Sequence, residues 1–236
     1  MESSVKRVCF LATRNAHKLQ ELAALVAGSV VWRGVDGFVG LPEAEEAAPT
    51  FQGNAEIKAR NVARWLAHHP EAWASAFTPG VDATRVWVIA DDSGLEVDVL
   101  GGAPGVHSAR FASLEEGGKG NSRDSDNNAK LLRLLRDVDP RDRAARFRCV
   151  LVVLPVVKTP AGGWKIPEPP RTFHGACEGF ILDQAAGAGG FGYDPLFRPA
   201  GYHLTFAELG ESTKNQISHR AQAAAQFRAW LDRGGT

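Results

Sequence analysis

The sequence predicts an α/β protein built on a mixed sheet, and three observations carry that reading. Short apolar runs of strand length alternate with segments whose apolar residues recur at helical spacing. Two long apolar runs, 147–157 and 172–182, follow one another with no helical segment between them, which predicts an antiparallel pair. One run, 86–90, stops abruptly at Asp91-Asp92-Ser93-Gly94. That pattern predicts a strand surfacing at its carboxyl end, where α/β sheets bind ligands.

The elements follow in order. Residues 8–12 read as a buried first strand, and Leu19, Leu22, Leu25 and Val26 as the apolar stripe of a first helix. Residues 52–66 form a second helix with Ala55, Ala59, Val62 and Leu66 inward. Residues 68–85 carry Pro70, Pro79 and Gly80 and read as a surface excursion. The strand 86–90 leads into the glycine- and proline-rich loop 101–105. Helix 127–136 turns Leu131, Leu132 and Leu135 inward. Pro160, Pro167, Pro169 and Pro170 make 158–171 a second surface excursion between the paired strands. Ser218 is positioned to cap a last helix that buries Ala224, Phe227 and Leu231.

The 236 residues are 44% hydrophobic and 23% charged, enough for one domain over 1–236. Lysine plus arginine and aspartate plus glutamate balance at 27 each, so no basic field argues for nucleic acid or a membrane surface. No apolar run approaches the ~20 residues of a membrane span. The start, Met1 to Arg7, enters the first strand without a secretory apolar segment. Cys9, Cys149 and Cys177 show neither a disulfide framework nor a metal spacing, and a cytoplasmic location is the expectation.

Four polar clusters accompany the paired acids, which read as a metal or general-base site against the alternative of a solvated, helix-capping turn. Thr13, Arg14, Asn15, Ala16, His17 and Lys18 stand between the first strand and helix, where N–H groups, a hydroxyl and a lysine suit phosphate. A simple asparagine cap with a solvated Lys18 is the alternative. Glu45 and Glu46 precede Asn54, Lys58 and Asn61, which share one helix face; that face is otherwise only the wet side of an amphipathic helix. Residues 187–192 fit Gly-x-Gly-x-x-Gly, but Pro195 and Pro199 forbid the helix that a dinucleotide fingerprint must open. The segment reads instead as a loop presenting Phe191 and Tyr193 beside Gly192 and Asp194 to a flat ligand, or as a glycine turn with core aromatics. Finally, Lys214 precedes Ser218-His219-Arg220, where two cationic side chains enter the first turn of a helix against its dipole. A ligand with an anion or carbonyl resolves that conflict; so does full solvation.

Lysines for phosphate, hard carboxylates for Mg²⁺ and aromatics with an arginine for a base make the inventory of a nucleoside triphosphate site. The chain also resembles the inosine triphosphate pyrophosphatase family, the XTP/dITP diphosphatases. The resemblance rests on Thr13-x-Asn15-x-x-Lys18, Thr50-Phe51-x-x-Asn54-Ala55-x-x-Lys58-Ala59, and Ala90-Asp91-Asp92-Ser93-Gly94-Leu95. It continues through Val97 to Arg110, Gly189 to Pro195, and Ser218-His219-Arg220, so that it runs from Val8 to about Leu231.

The resemblance implies a long mixed central sheet flanked by helices, in two lobes with a substrate cleft between them, and a homodimer. It implies that Thr13 to Lys18 bind the triphosphate, with Lys58 and Lys214 adding positive charge. Asp92 becomes the general base or a Mg²⁺ carboxylate, Ser93 touches substrate, and Glu45 or Glu46 joins the metal. Phe191, Gly192, Tyr193, Asp194, His219 and Arg220 form the base pocket. The implied reaction is Mg²⁺-dependent hydrolysis of dITP, ITP or XTP to the monophosphate and pyrophosphate. The chain departs from the family pattern at Arg14, Gly53, Ala47-Ala48-Pro49, His107 and the 68–85 insertion. Competing readings are a pyrophosphatase of modified pyrimidine nucleotides, a nucleotide-sensing protein and a nucleic-acid-associated factor.

Overall fold

The computed structural model describes residues 6–28, 30–118 and 120–235, apart from the side chains at 16, 17 and 116. The segment Met1 to Val5 of the expected leaderless start lies outside the described residues. The strands are β1 (Lys6–Leu11), β2 (Val30–Arg33), β3 (Val81–Val97), β4 (Ala144–Lys158), β5 (Trp164–Lys165), β6 (Arg171–Ile181) and β7 (Phe197–Pro199). The helices are α1 (Ala16–Leu25), α2 (Phe51–His68), α3 (Asp124–Leu134), α4 (Phe206–Ile217) and α5 (His219–Asp232). The sheet order is β2-β1-β3-β4-β6-β7, with β5 added beside β4. It is mixed, as expected: β1 runs parallel to β2 and β3, whereas β5 lies antiparallel to β4 and β7 to β6. The two long strands read from the sequence, now β4 and β6, are neighbours.

The chain divides into two compact units. The first comprises 1–92, 150–173 and 223–236; the second comprises 93–149 and 174–222. In the first, β1 sits in register with β3, Val8 opposite Val86 and Leu11 opposite Ile89, and all four side chains are fully buried. Trp87 meets Trp230 of α5 edge-on at 5.0 Å, and Phe227 and Leu231 are buried with it. Ser218 caps α5 as the sequence suggested, its hydroxyl accepting from the Ala221 N–H at 3.1 Å. In the second unit, Leu95, Phe111, Leu131, Leu135, Phe147, Ile181, Phe197 and Phe206 belong to one core. A capping box between Thr205 and Glu208 starts α4, and Gly210 at φ 75° interrupts it. All three cysteines are free and buried.

The first surface excursion needs correction in part. Residues 70–76 form a 3₁₀ turn that buries Trp73 and Ala76, and β3 begins at Val81 rather than Val86 because Lys6 pairs there across a bulge. Segment 158–171 lies at the surface as expected, with none of its residues buried, but it is tied down. Trp164 packs edge-on against Trp73 at 4.7 Å, β5 pairs back onto β4, and Glu168 takes a two-pronged ion pair from Arg60. The prolines marked real breaks in regular structure, but burial of Trp73 anchors the first segment. Trp73 is 1% exposed, and its indole N–H donates to Leu66 O at 2.9 Å. Trp73→Ala should therefore cost about 3–5 kcal/mol in denaturant unfolding. An exposed excursion would give a change near zero.

Candidate active site

In the first unit, β1 ends at Leu11 and the chain turns through Thr13 and Asn15 into α1. The Thr13 hydroxyl accepts from the Asn15 N–H at 3.1 Å, and Asn15 Oδ1 accepts from the Lys18 N–H at 3.3 Å. The asparagine thus caps the helix. Arg14 is exposed and Thr13 half-buried. Ala16 and His17 belong to the α1 backbone, and their side chains lie outside the described part. Lys18 is not the solvated lysine of a simple cap: its Nζ lies 2.7 Å from Asp91 Oδ2.

The expectation that the chain surfaces at the paired acids is overturned. Strand β3 continues to Val97, with Asp91 and Asp92 both buried in its interior. Consecutive strand residues point to opposite sides, so the two carboxylates take cations from different helices. Asp91 pairs with Lys18 of α1. Asp92 Oδ1 accepts from Lys58 Nζ of α2 at 2.9 Å. The same ammonium donates to Glu46 Oε2 at 3.0 Å. Of the two candidate glutamates, Glu46 is therefore the one that joins the cluster, while Glu45 is exposed.

Burial pushes the Asp92 carboxyl above the usual carboxylate range, and the Lys58 ammonium only partly opposes it. Burial by itself would lower the Lys58 pKa, but Asp92 and Glu46 outweigh it and raise the value. Asp92 Oδ2 and Asn54 Nδ2 are buried without a hydrogen-bond partner among the described residues. Buried polar atoms are nearly always partnered, so an acceptor and a donor left over in one unit are what a polar ligand would use.

The polar face of α2 is not a wet face. Asn54 Oδ1 accepts from the Ala48 N–H at 2.9 Å, Lys58 holds Glu46, and Asn61 Nδ2 donates to Pro42 O at 2.7 Å. Spacing i, i+4, i+7 on the helix thus engages 48, 46 and 42 of the preceding segment in reverse order. Thr50 caps the helix, accepting from the Gly53 N–H at 3.0 Å.

In the second unit, Ser93 Oγ accepts from Arg220 Nη2 at 3.0 Å. Arg220 and His219 are buried, so full solvation does not explain their place at the start of α5. His219 stacks on Phe147 at 4.9 Å and 12°. Half-buried Phe191 has the Lys214 ammonium 4.5 Å and the Arg220 guanidinium 6.0 Å from its ring centre.

Three further residues of the expected site have contacts of their own. Tyr193 is a core residue whose hydroxyl donates to Ser108 O at 2.8 Å. Lys214 is buried and paired with Asp194 Oδ2 at 2.6 Å, as Lys18 is paired with Asp91 and Lys58 with Asp92. Asp194 shapes the loop: its Oδ2 also accepts from the Phe191 N–H at 3.0 Å, and any Cβ at Gly190 would collide with it. No helix opens at 187–192, which bears out rejection of the dinucleotide fingerprint.

The sequence reading missed two residues. Asp124 accepts from the Gly192 N–H at 2.6 Å and Asn128 donates to Gly192 O at 3.0 Å, gripping both backbone groups of one glycine from α3. Their only sequence signal was an Asp and an Asn spaced i, i+4 at a helix start.

Comparisons with known proteins bear on the family and the fold. The family model described as the Ham1 family matches residues 9–230. A dITP/XTP pyrophosphatase of Pseudomonas syringae pv. tomato is 43% identical over 94% of this chain and 95% of its own length. One from Methylococcus capsulatus is 42% identical over 94% of each chain. Among solved structures, the Ham1 protein of Staphylococcus aureus is 31% identical with a TM-score of 0.73, covering 97% of this chain and all of its own (100%). A nucleoside-triphosphatase/dITP/XTP pyrophosphatase from Mycobacterium abscessus is 32% identical with a TM-score of 0.65, covering 93% and 98%. The motifs along the sequence, the mixed sheet and these relatives agree, and the chain belongs to the Ham1 family.

Proposed function

We propose that this chain is a pyrophosphatase of purine nucleoside triphosphates bearing a 6-keto group, dITP, ITP and XTP, releasing the monophosphate and pyrophosphate. The observation that carries the reading is the buried Asp92, with one oxygen on Lys58 and the other, Oδ2, without a hydrogen-bond partner among the described residues. A dITP/XTP pyrophosphatase activity in relatives 42–43% identical supports the substrate class.

The donor set fits Mg²⁺. Asp92 and Glu46 offer hard oxygens, and among the described residues no group of three His, Cys, Asp or Glu side chains forms an all-protein cage. Mg²⁺ characteristically takes one or two carboxylates and completes its sphere with water and phosphate. When bound, the ion would neutralise phosphate charge and polarise the phosphorus toward attack.

The protein's own contribution is positioning. Lys18, the capped start of α1 and Lys58 supply donors for the phosphates. Asp92 orients a water molecule for in-line attack on the α-phosphorus and accepts its proton. The α–β bridging oxygen departs with pyrophosphate. In the second unit, Arg220 has only donors to offer, so the group it meets must be an acceptor. A 6-keto oxygen satisfies it, whereas the 6-amino group of adenine leaves a buried donor facing a donor. Phe191 supplies an aromatic face for the base. A cytoplasmic homodimer is part of the same proposal, with the assembly checked by light scattering.

Asp92→Asn should lower kcat on the order of 10²–10⁴-fold, the range for losing a positioned general base, while far-UV circular dichroism stays unchanged. Near-normal turnover would remove Asp92 from the chemistry. Chelation should abolish pyrophosphate release, and Mg²⁺ should restore it. In a side-by-side screen, dITP and XTP should exceed dATP in kcat/KM by at least about 10²-fold. Preference for dUTP or dTTP would favour the pyrimidine reading instead.

A further inference from the structure

The segment that delivers Glu46 has no helix or strand of its own, yet it is fastened to α2 along its length. Asn54 holds Ala48, Lys58 holds Glu46, and Asn61 holds Pro42. Steric fit adds to these hydrogen bonds. A Cβ built at Gly53, in the first turn of α2, would stand 2.6 Å from Ala48 Cβ and 3.1 Å from Thr50 Oγ1. Real Cβ atoms do not approach a methyl group that closely. Gly53 is thus the only residue type that lets Ala48 lie against the helix. Its own N–H is committed to the Thr50 cap, so it has no room to turn away.

The helix is the fixed partner. Phe51, Ala55 and Ala59 flank position 53 and are buried, whereas Glu45, Ala47 and Pro49 are exposed. A side chain at 53 would therefore displace the segment and not the helix. Ala48 is two residues from Glu46, so the displacement would be felt at the carboxylate.

We infer that Gly53 is a positioning residue for Glu46, and that Gly53 and Ala48 form a matched steric pair that sets where this carboxylate stands beside Lys58 and Asp92. The inference rests on the proposed role of Glu46 toward the metal. Gly53 has no side chain to offer metal or substrate and acts through the 42–48 segment.

The test uses the full-length enzyme with Mn²⁺ as probe, free ion being read by electron paramagnetic resonance. It is run beside the Mg²⁺ dependence of pyrophosphate release. Gly53→Ala should weaken Mn²⁺ binding about tenfold, the lower range for residues that orient a metal ligand. It should raise the Mg²⁺ needed for half-maximal rate similarly, with kcat at saturating Mg²⁺ unchanged. Adding Ala48→Gly to Gly53→Ala should restore parental binding, a rescue that a general loss of folding would not show. Alanine favours a helix over glycine, so Gly53→Ala should not lower Tm even as it weakens the metal. If Glu46→Gln weakens Mn²⁺ binding but Gly53→Ala does not, or if Ala48→Gly fails to rescue, the positioning inference alone is wrong. If Glu46→Gln binds Mn²⁺ like the parent, Glu46 is no ligand and the inference falls with that reading.

Discussion

Two adjacent aspartates in the interior of a buried strand are the constraint that the site is built around. Each must leave water, and an uncompensated buried carboxylate is not tolerated. The strand geometry separates them, one to each side, and each side brings one lysine: Lys18 at 2.7 Å from Asp91 and Lys58 at 2.9 Å from Asp92. Removing one member of such a pair typically costs about 3–5 kcal/mol, because the other is left charged and buried. The pairs therefore bind α1 and α2 to β3 at fixed points. The start of α1, which offers its N–H groups, and the face of α2, which holds Glu46 through Lys58, are placed by the same two contacts that neutralise the acids.

Backbone geometry makes this possible at one place along the strand. Pairing of β1 with β3 ends at Leu11 opposite Ile89, and the Ala12 N–H makes the last bond, to Ile89 O at 2.7 Å. Beyond that point the chain leaves β1 and turns into α1, while β3 runs on. Asp91 stands two residues past the last β1 partner, where a side chain from the first turns of α1 takes the place of a neighbouring strand. The polar pair occupies the end of the β1–β3 seam, and the apolar register from Val8 opposite Val86 to Leu11 opposite Ile89 runs unbroken before it.

Most elements were legible because their signals are local. The stripe of α2, the cap at Ser218 and the two long strands depend on residues within a few positions of one another. The failures were all long-range. An Asp-Asp pair after five apolar residues looks like a surfacing strand because nothing nearby shows that Lys18 and Lys58 will meet it. Asn54, Lys58 and Asn61 look like a wet face because the backbone they bind belongs to a segment with no regular pattern. Tyr193 beside three glycines looks available, yet its hydroxyl finds a carbonyl 85 residues away in sequence. Gly53 looked like no more than a departure from the family pattern; only the proximity of Ala48 shows what the missing side chain allows.

The charge count at the first unit's cluster bears on how phosphate could be held there at all. Asp91, Asp92 and Glu46 face Lys18 and Lys58, three acids against two lysines, so this group is net negative before any ligand arrives. Neither lysine is idle. A phosphate oxygen that draws Lys58 away leaves Asp92 and Glu46 sharing one another's repulsion in a site where burial already disfavours the charged form of Asp92. A triphosphate therefore worsens the balance unless a second cation enters with it, and a divalent ion offsets both the freed carboxylates and the phosphates. On this accounting the proposed dependence on metal would not require a preformed cage. It would follow from three carboxylates that two lysines do not balance, a deficit that a polyanion deepens.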